Sequence, residues 1–192
     1  MKIDIILAGV GGQGILSIGA ILGDAALYEN LFIKQAETHG MSQRGGAVVS
    51  HVRIADHPVS ADLIYRGQAD FLLAMEPMEA LRQLPFLGEK GMLISNMEPC
   101  LNLPNYPPVE KLWFEIEQLP RYVLVDGGVI THELCNPKGI NMVMLGALSV
   151  FIPLKKESLH QGIKDVFETK GEKIISLNIQ AFETGRSVVL DR

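Results

Sequence analysis

"ILAGVGGQGILSIGAILGDAAL", residues Ile6 to Leu27, sets Gly9, Gly11 and Gly14 in the spacing G-x-G-x-x-G between an apolar run and a helical pattern. The run that feeds it, "IDIILA" from Ile3 to Ala8, is apolar at nearly every position and rich in β-branched residues. That composition predicts a strand covered on both faces, and so a mostly parallel sheet. After the glycines, Ile15, Ile18, Leu22, Ala25 and Ala26 recur at helical spacing as far as Asn30, a residue suited to stopping a helix. Strand, glycine turn and helix in that order predict an α/β fold.

Reading outward, "LFIKQAE" (Leu31 to Glu37) predicts the second strand and "THGMSQRGG" (Thr38 to Gly46) a loop. "AVVSHVRIA" predicts a third strand, which the turn at Asp56 to Pro58 can fold against "VSADLI" as a hairpin, making the sheet mixed. "ADFLLAME" and "GMLISN" read as buried strands on either side of a short helix at Pro77 to Gln83. The four prolines between Pro99 and Pro108 predict an irregular crossover. "RYVLVDGG" reads as a further strand through Asp126 and two glycines, and "GINMVMLGALSVF" (Gly139 to Phe151) as a helix covered on every side, with amphipathic helices after Pro153. The expected architecture is a three-layer α/β sandwich, its sheet flanked by helices, with a helical C-terminal part and residues 1–192 as one domain.

Composition excludes several classes. The chain has 192 residues, 47% hydrophobic and 20% charged, which suits a folded protein with its own core. Net charge is −5 and the basic residues are scattered, so the clustered positive charge that nucleic acid needs is missing. No apolar run reaches the ~18 residues of a membrane span. Cys100 and Cys135 are the only cysteines, in no C-x-x-C spacing; two buried, reduced thiols are expected, along with a cytoplasmic location. His51, His57, His132 and His160 form no metal-binding spacing, and no metal site is expected. Ser17, Ser42 and Ser50 have no base partner in sequence, and G-x-S-x-G is absent.

The glycines leave three readings open. Glycine tolerates positive φ, admits a close ligand backbone and leaves N–H groups free at the positive end of a helix. A dinucleotide would use all of these, with Glu37 near the end of the second strand on the ribose; the chain would then be a self-sufficient NAD(P)- or FAD-binding oxidoreductase. A tight turn that lets helix pack on sheet would use only the first. A surface for a partner, or for an anion held against it, would recruit Gln13 and the neighbouring "HGMSQRGG", where Met41 offers apolar contact and Arg44 a planar fork for a carboxylate or phosphate.

"GVGGQG" followed about 25 residues later by "ETHGMSQRGG", with "NPKGINMVMLGAL" (Asn136 to Leu148) further on, resembles the gamma-type subunits and domains of the 2-oxoacid:ferredoxin oxidoreductases, and among them the beta subunits of the indolepyruvate enzymes. The likeness spans Ile3 to Val150. It implies an assembly in which a 2-oxoacid, here an aryl pyruvate, is decarboxylated on thiamine diphosphate. Coenzyme A receives the acyl group, and electrons leave through iron–sulphur clusters to ferredoxin. The chain lacks a thiamine-type G-D-G…N signature and cluster cysteines, so the resemblance implies that thiamine diphosphate, Mg and the clusters reside in a larger partner subunit. This chain is then the accessory member of a hetero-oligomer, inactive alone and with no catalytic residue of its own. The expected contact surface comprises Gly9, Gly11, Gly12, Gln13 and Gly14 of the turn with Glu37, His39, Met41, Ser42, Gln43, Arg44, Gly45 and Gly46 of the following segment. Both are expected to leave the same end of adjacent parallel strands.

Overall fold

The computed structural model describes residues 1–39, 46–101 and 104–191, the side chain of His39 excepted. β1 (Lys2–Val10) explains the layering: Ile3, Ile5 and Leu7 enter one buried cluster, Ile6 and Ala8 another on the opposite face. Alternation of side chains across a strand gives that division, and a strand apolar on both faces needs cover on both. On the first face lie α1 (Ile15–Tyr28), α4 (Gly127–Glu133), α5 (Ile140–Ser149), α6 (Lys156–Phe167) and α7 (Glu172–Leu190); on the second lie α2 (Pro77–Gln83) and α3 (Val109–Glu117). The three-layer α/β architecture with a helical C-terminal part is as expected.

The remaining strands are β2 (Phe32–His39), β3 (Ala47–Ala55), β4 (Ala69–Ala74), β5 (Leu87–Asn96) and β6 (Tyr122–Val125), in the order β2-β3-β1-β4-β5-β6. β1, β4, β5 and β6 pair in parallel, while β3 runs antiparallel to both β1 and β2. The sheet is therefore mixed, but not through the expected hairpin of residues 47–64. β3 already has a neighbour on each edge, so Val59 to Ile64 cannot join it. They cross the sheet face as an irregular strap instead. Ile64 N–H donates to His51 Nδ1 at 3.1 Å, and Arg53 Nη1 to the carbonyls of Ala61 and Leu63 at 3.0 and 3.3 Å. Arg53 also grips fully buried Asp4 (Nε–Oδ1 2.8 Å, Nη2–Oδ2 3.1 Å), so the strap hangs on a satisfied ion pair.

β1 and β2 point the same way but are not adjacent, which corrects the expected arrangement. Only seven residues, 40–46, join β2 to β3. Such a connection suits antiparallel neighbours, whereas parallel ones need a crossover of about a dozen residues or more. β2 also runs two residues beyond the predicted strand, through His39. Strand β6 stops at Val125, where a longer strand was expected, because Asp126 Oδ1 accepts from Val129 N–H at 3.0 Å and caps α4. Helix α1 ends as predicted, with Asn30 left-handed at φ 56°. Helix α5 is buried from Asn141 to Ser149. No helix among the described residues is long and apolar enough to cross a membrane.

Candidate functional site

The carboxyl ends of β1, β2 and the parallel strands share one edge of the sheet, with the start of β3 between them; Val10 lies opposite Ala47, and His39 opposite Val48. There the glycine turn meets the end of the 38–46 segment directly: Gly11 N–H donates to the Gly46 carbonyl at 2.9 Å. The two stretches that sequence singled out are joined by a backbone bond, although β3 separates their strands.

Each glycine has its own reason. A Cβ at Gly9 would lie 2.7 Å from Gln13 Oε1 and 2.9 Å from Met75 Cβ, so this position serves packing. Gly12, at φ +104°, is exposed with open space around it, and its backbone alone faces a visitor. Gly14, at φ +79°, caps α1, and a Cβ there would run into Asn141 Nδ2. Gln13 turns inward: its Oε1 accepts from Val10 N–H at 2.7 Å and its Nε2 donates to Met75 O at 3.4 Å. It holds the turn's shape. Met75 O also receives Asn96 Nδ2 at 3.2 Å, which links the turn to β5.

Glu37 is exposed on β2 and accepts from Gln35 Nε2 at 2.7 Å. The intervening β3 puts it two strand spacings from β1, about 9.5 Å. In a dinucleotide fold the ribose-binding acid follows the neighbouring parallel strand. Met41, Ser42, Gln43, Arg44 and Gly45 lie outside the described residues, as does the His39 side chain.

A hollow of about 500 Å³ opens beside Gly12, Gln13 and Gly14, closed on its other side by Met75, Lys138 and Asn141. Both α1 and α5 begin at its wall, which turns two positive helix ends toward it, and Lys138 adds a cation. Asn141, 8% exposed, accepts from Met142 N–H at 3.0 Å while its Nδ2 lies over Gly14. A second hollow of about 480 Å³ shares Lys138 and Asn141 and reaches Ser17, Lys170 and Asn178. A third, about 410 Å³, contains Glu98, His132 and Cys135. Sequence reading missed Lys138 and Asn141, yet Asn141 had a signal: it is a polar residue in the first turn of an otherwise apolar helix.

On the other face of the same edge, Glu76 caps α2 by accepting from Glu79 N–H at 2.6 Å, and Tyr106 O–H donates to its Oε2. Burial and this carboxylate push the Tyr106 phenol far up. Burial also raises the Glu79 carboxyl, and Glu76 adds to that rise while Arg82 opposes it. Among the described residues Glu79 Oε2 has no hydrogen-bond partner. Cys100 is raised by burial and by Glu76, Glu79 and Glu98. Both thiols are free, but neither is fully buried as expected: Cys100 is half-buried, and Cys135, left-handed (φ 50°) just past the end of α4, is exposed. His51 is lowered by burial and by Arg53, as befits an acceptor for the strap.

Known proteins resemble the chain over nearly its whole length. Residues 4–188 match the model of the pyruvate ferredoxin/flavodoxin oxidoreductase family. The indolepyruvate oxidoreductase subunit IorB of Archaeoglobus fulgidus is 36% identical over 96% of this chain and 94% of its own length. The 2-oxoglutarate synthase subunit KorC of Methanocaldococcus jannaschii is 30% identical over 98% and 94%. Among solved structures, the gamma subunit of a keto/oxoacid ferredoxin oxidoreductase from Geobacter sulfurreducens superimposes with a TM-score of 0.73 at 25% identity, over 99% of both chains. The chain belongs to the pyruvate ferredoxin/flavodoxin oxidoreductase family.

Proposed function

We propose that the chain is the accessory subunit of a 2-oxoacid:ferredoxin oxidoreductase that acts on indolepyruvate or a related aryl pyruvate. A larger subunit supplies thiamine diphosphate, Mg and iron–sulphur clusters. The assembly converts 2-oxoacid and coenzyme A to acyl-CoA and carbon dioxide, and two electrons pass to ferredoxin. The observation that carries this reading is the Gly11–Gly46 bond, which joins the glycine turn to the end of the 38–46 segment beside an open hollow. Support for the substrate class is the 36% identity to an indolepyruvate subunit, against 30% to a 2-oxoglutarate one.

In this role the chain shapes a docking face and performs no bond-breaking step. Gln13 pins the turn through Val10 and Met75, so that the bare backbone at Gly12 stands toward the companion subunit. Lys138 and the starts of α1 and α5 favour an anionic group held between the two subunits. The sequence reading gives Arg44, which lies outside the described residues, a planar fork suited to a carboxylate or phosphate.

Reconstitution tests the reading. The purified chain alone is expected to reduce no ferredoxin. Together with the large subunit it should do so in a manner dependent on indolepyruvate and coenzyme A. Arg44→Ala should lower turnover of the complex by roughly tenfold or more while leaving thermal unfolding of this chain unchanged. Turnover by the lone chain, or a large subunit equally active without it, would refute the accessory role.

A further inference from the structure

The strap that crosses the sheet face is fastened at points that are chemically unlike. Toward its start, Arg53 Nη1 donates to the carbonyls of Ala61 and Leu63. Past its end, Gly67 N–H donates to the Pro85 carbonyl at 2.9 Å, in a turn where Gly67 is left-handed at φ 72° and Gln68 N–H closes back on the Tyr65 carbonyl at 3.2 Å. Between these lies the bond from Ile64 N–H to His51 Nδ1. A guanidinium keeps its charge throughout the working pH range, and its hydrogen bond to Asp4 raises the Arg53 pKa further. A backbone amide does not titrate. The middle fastening depends on a side chain that changes charge in mild acid.

The direction of that bond fixes the state of the ring. Ile64 donates, so Nδ1 accepts and carries no proton, and the imidazole is the neutral tautomer with its hydrogen on Nε2. A second proton would set N–H against N–H and remove the acceptor. His51 is 5% and Ile64 2% exposed, so neither can turn to water while the strap stays down. Nor is a counter-ion at hand for a charged ring. Arg53, its neighbour on the same face of β3, is a cation. Among the described residues each facing carboxylate is already engaged: Asp4 of β1 by Arg53 and Lys2, Asp62 of the strap by Lys34 of β2, Asp70 of β4 by the Asp4 N–H, and Glu79 of α2 by Arg82. Phe86, perpendicular to His51 with ring centroids 5.3 Å apart, brings no charge.

We propose that His51 makes the strap an acid-released latch: protonation of its ring parts Ile64 from the sheet, and the segment between Leu63 and Gly67 lifts while both outer fastenings hold. Ile64 belongs to the apolar cluster of Ile6, Leu72 and Ala74 on the second face, and that burial keeps the latch shut at neutral pH. In the closed form, burial and Arg53 lower the His51 pKa. In the lifted form the ring meets water and returns to its ordinary value of about 6.5. The lifted form therefore binds a proton more readily, and acid favours it. Below about pH 6.5 its population rises by up to roughly tenfold per pH unit, until the closed form is protonated too; above that pH the latch does not respond. The device lies within this chain and needs no second subunit.

Hydrogen exchange of the full chain, read amide by amide and corrected for the intrinsic effect of pH on exchange, tests the proposal. Between about pH 7.5 and pH 5 the protection of the Ile64 amide should fall by roughly tenfold or more, while the amides of Gly67 and of Val52 in β3 keep theirs. His51→Asn leaves an acceptor near the position of Nδ1 that does not titrate, so in that variant Ile64 should be equally protected at both pH values. Should the variant fold poorly, the ring-nitrogen resonances of His51 in the unaltered chain decide. They should show a bare Nδ1 at neutral pH and a titration midpoint below about 6.5 that coincides with the loss of Ile64 protection. An Ile64 amide indifferent to pH overturns the proposal. So does a pH dependence that His51→Asn retains, a loss that Val52 shares, or a midpoint at or above the ordinary value.

Discussion

Glu79 shows how a single side chain can work against the fold that holds it. It is 1% exposed, Arg82 bonds only its Oε1, and among the described residues Oε2 lacks a partner, so burial raises its pKa above the ordinary 4.5. In acid below both values the group is neutral whether folded or unfolded, and costs nothing. As the pH climbs past the unfolded value the unfolded chain loses the proton first. Stability falls until the folded carboxyl also ionises, and the penalty then stays constant. Glu79→Gln should therefore stabilise the protein near pH 8 by on the order of 1 kcal/mol, about 2–4 °C in Tm, and do little near pH 4. Thermal unfolding at the two pH values checks this; an equal effect at both would exclude ionisation as the cause. None of this was visible in sequence, where Glu79 is an ordinary residue of a short helix.

At the scale of elements, the crossing of α5 with α7 depends on two glycines. A Cβ at Gly146 would strike the Phe182 carbonyl, and one at Gly185 the Val143 carbonyl, each belonging to the facing helix backbone. Glycine to alanine inside a helix ordinarily stabilises by about 0.5–1 kcal/mol. Here Gly185→Ala should reverse that sign and destabilise by roughly 1–3 kcal/mol, because neither backbone can yield without parting the helices. A lower midpoint in chemical denaturation is the expected result; a higher one would mean that the crossing is looser than its geometry. The all-round apolar sequence of α5 announced that it would be buried, but its partner could not be read from it. Likewise the alternation in Val59 to Ile64 looked like a strand, and became a strap because β3 had no free edge left.

For the whole molecule, strand order decides which ligand the glycine turn can serve. Insertion of β3 between β1 and β2 moves Glu37 away from the turn, and Gln13 and Asn141 occupy the space beside Gly9 and Gly14. NAD, NADP and FAD should accordingly leave the thermal unfolding of the chain unshifted. A ligand present at a hundred times its Kd would add about 2.7 kcal/mol, which such a measurement detects readily. A clear upward shift with any of the three would restore the dinucleotide reading.

Local sequence signals were enough for the α/β class, the helix from Ile15, its stop at Asn30, and the glycine turn with the segment whose end, Gly46, bonds to it. Those features are local: periodicity, β-branching and glycine spacing act within a few residues of each other. The insertion of β3 between β1 and β2, the inward turn of Gln13, and the closing of the hollow by Lys138 and Asn141 follow from long-range packing. These depend on which backbone edges are already paired and which volumes are already filled, and such conditions exist only once distant segments have come together.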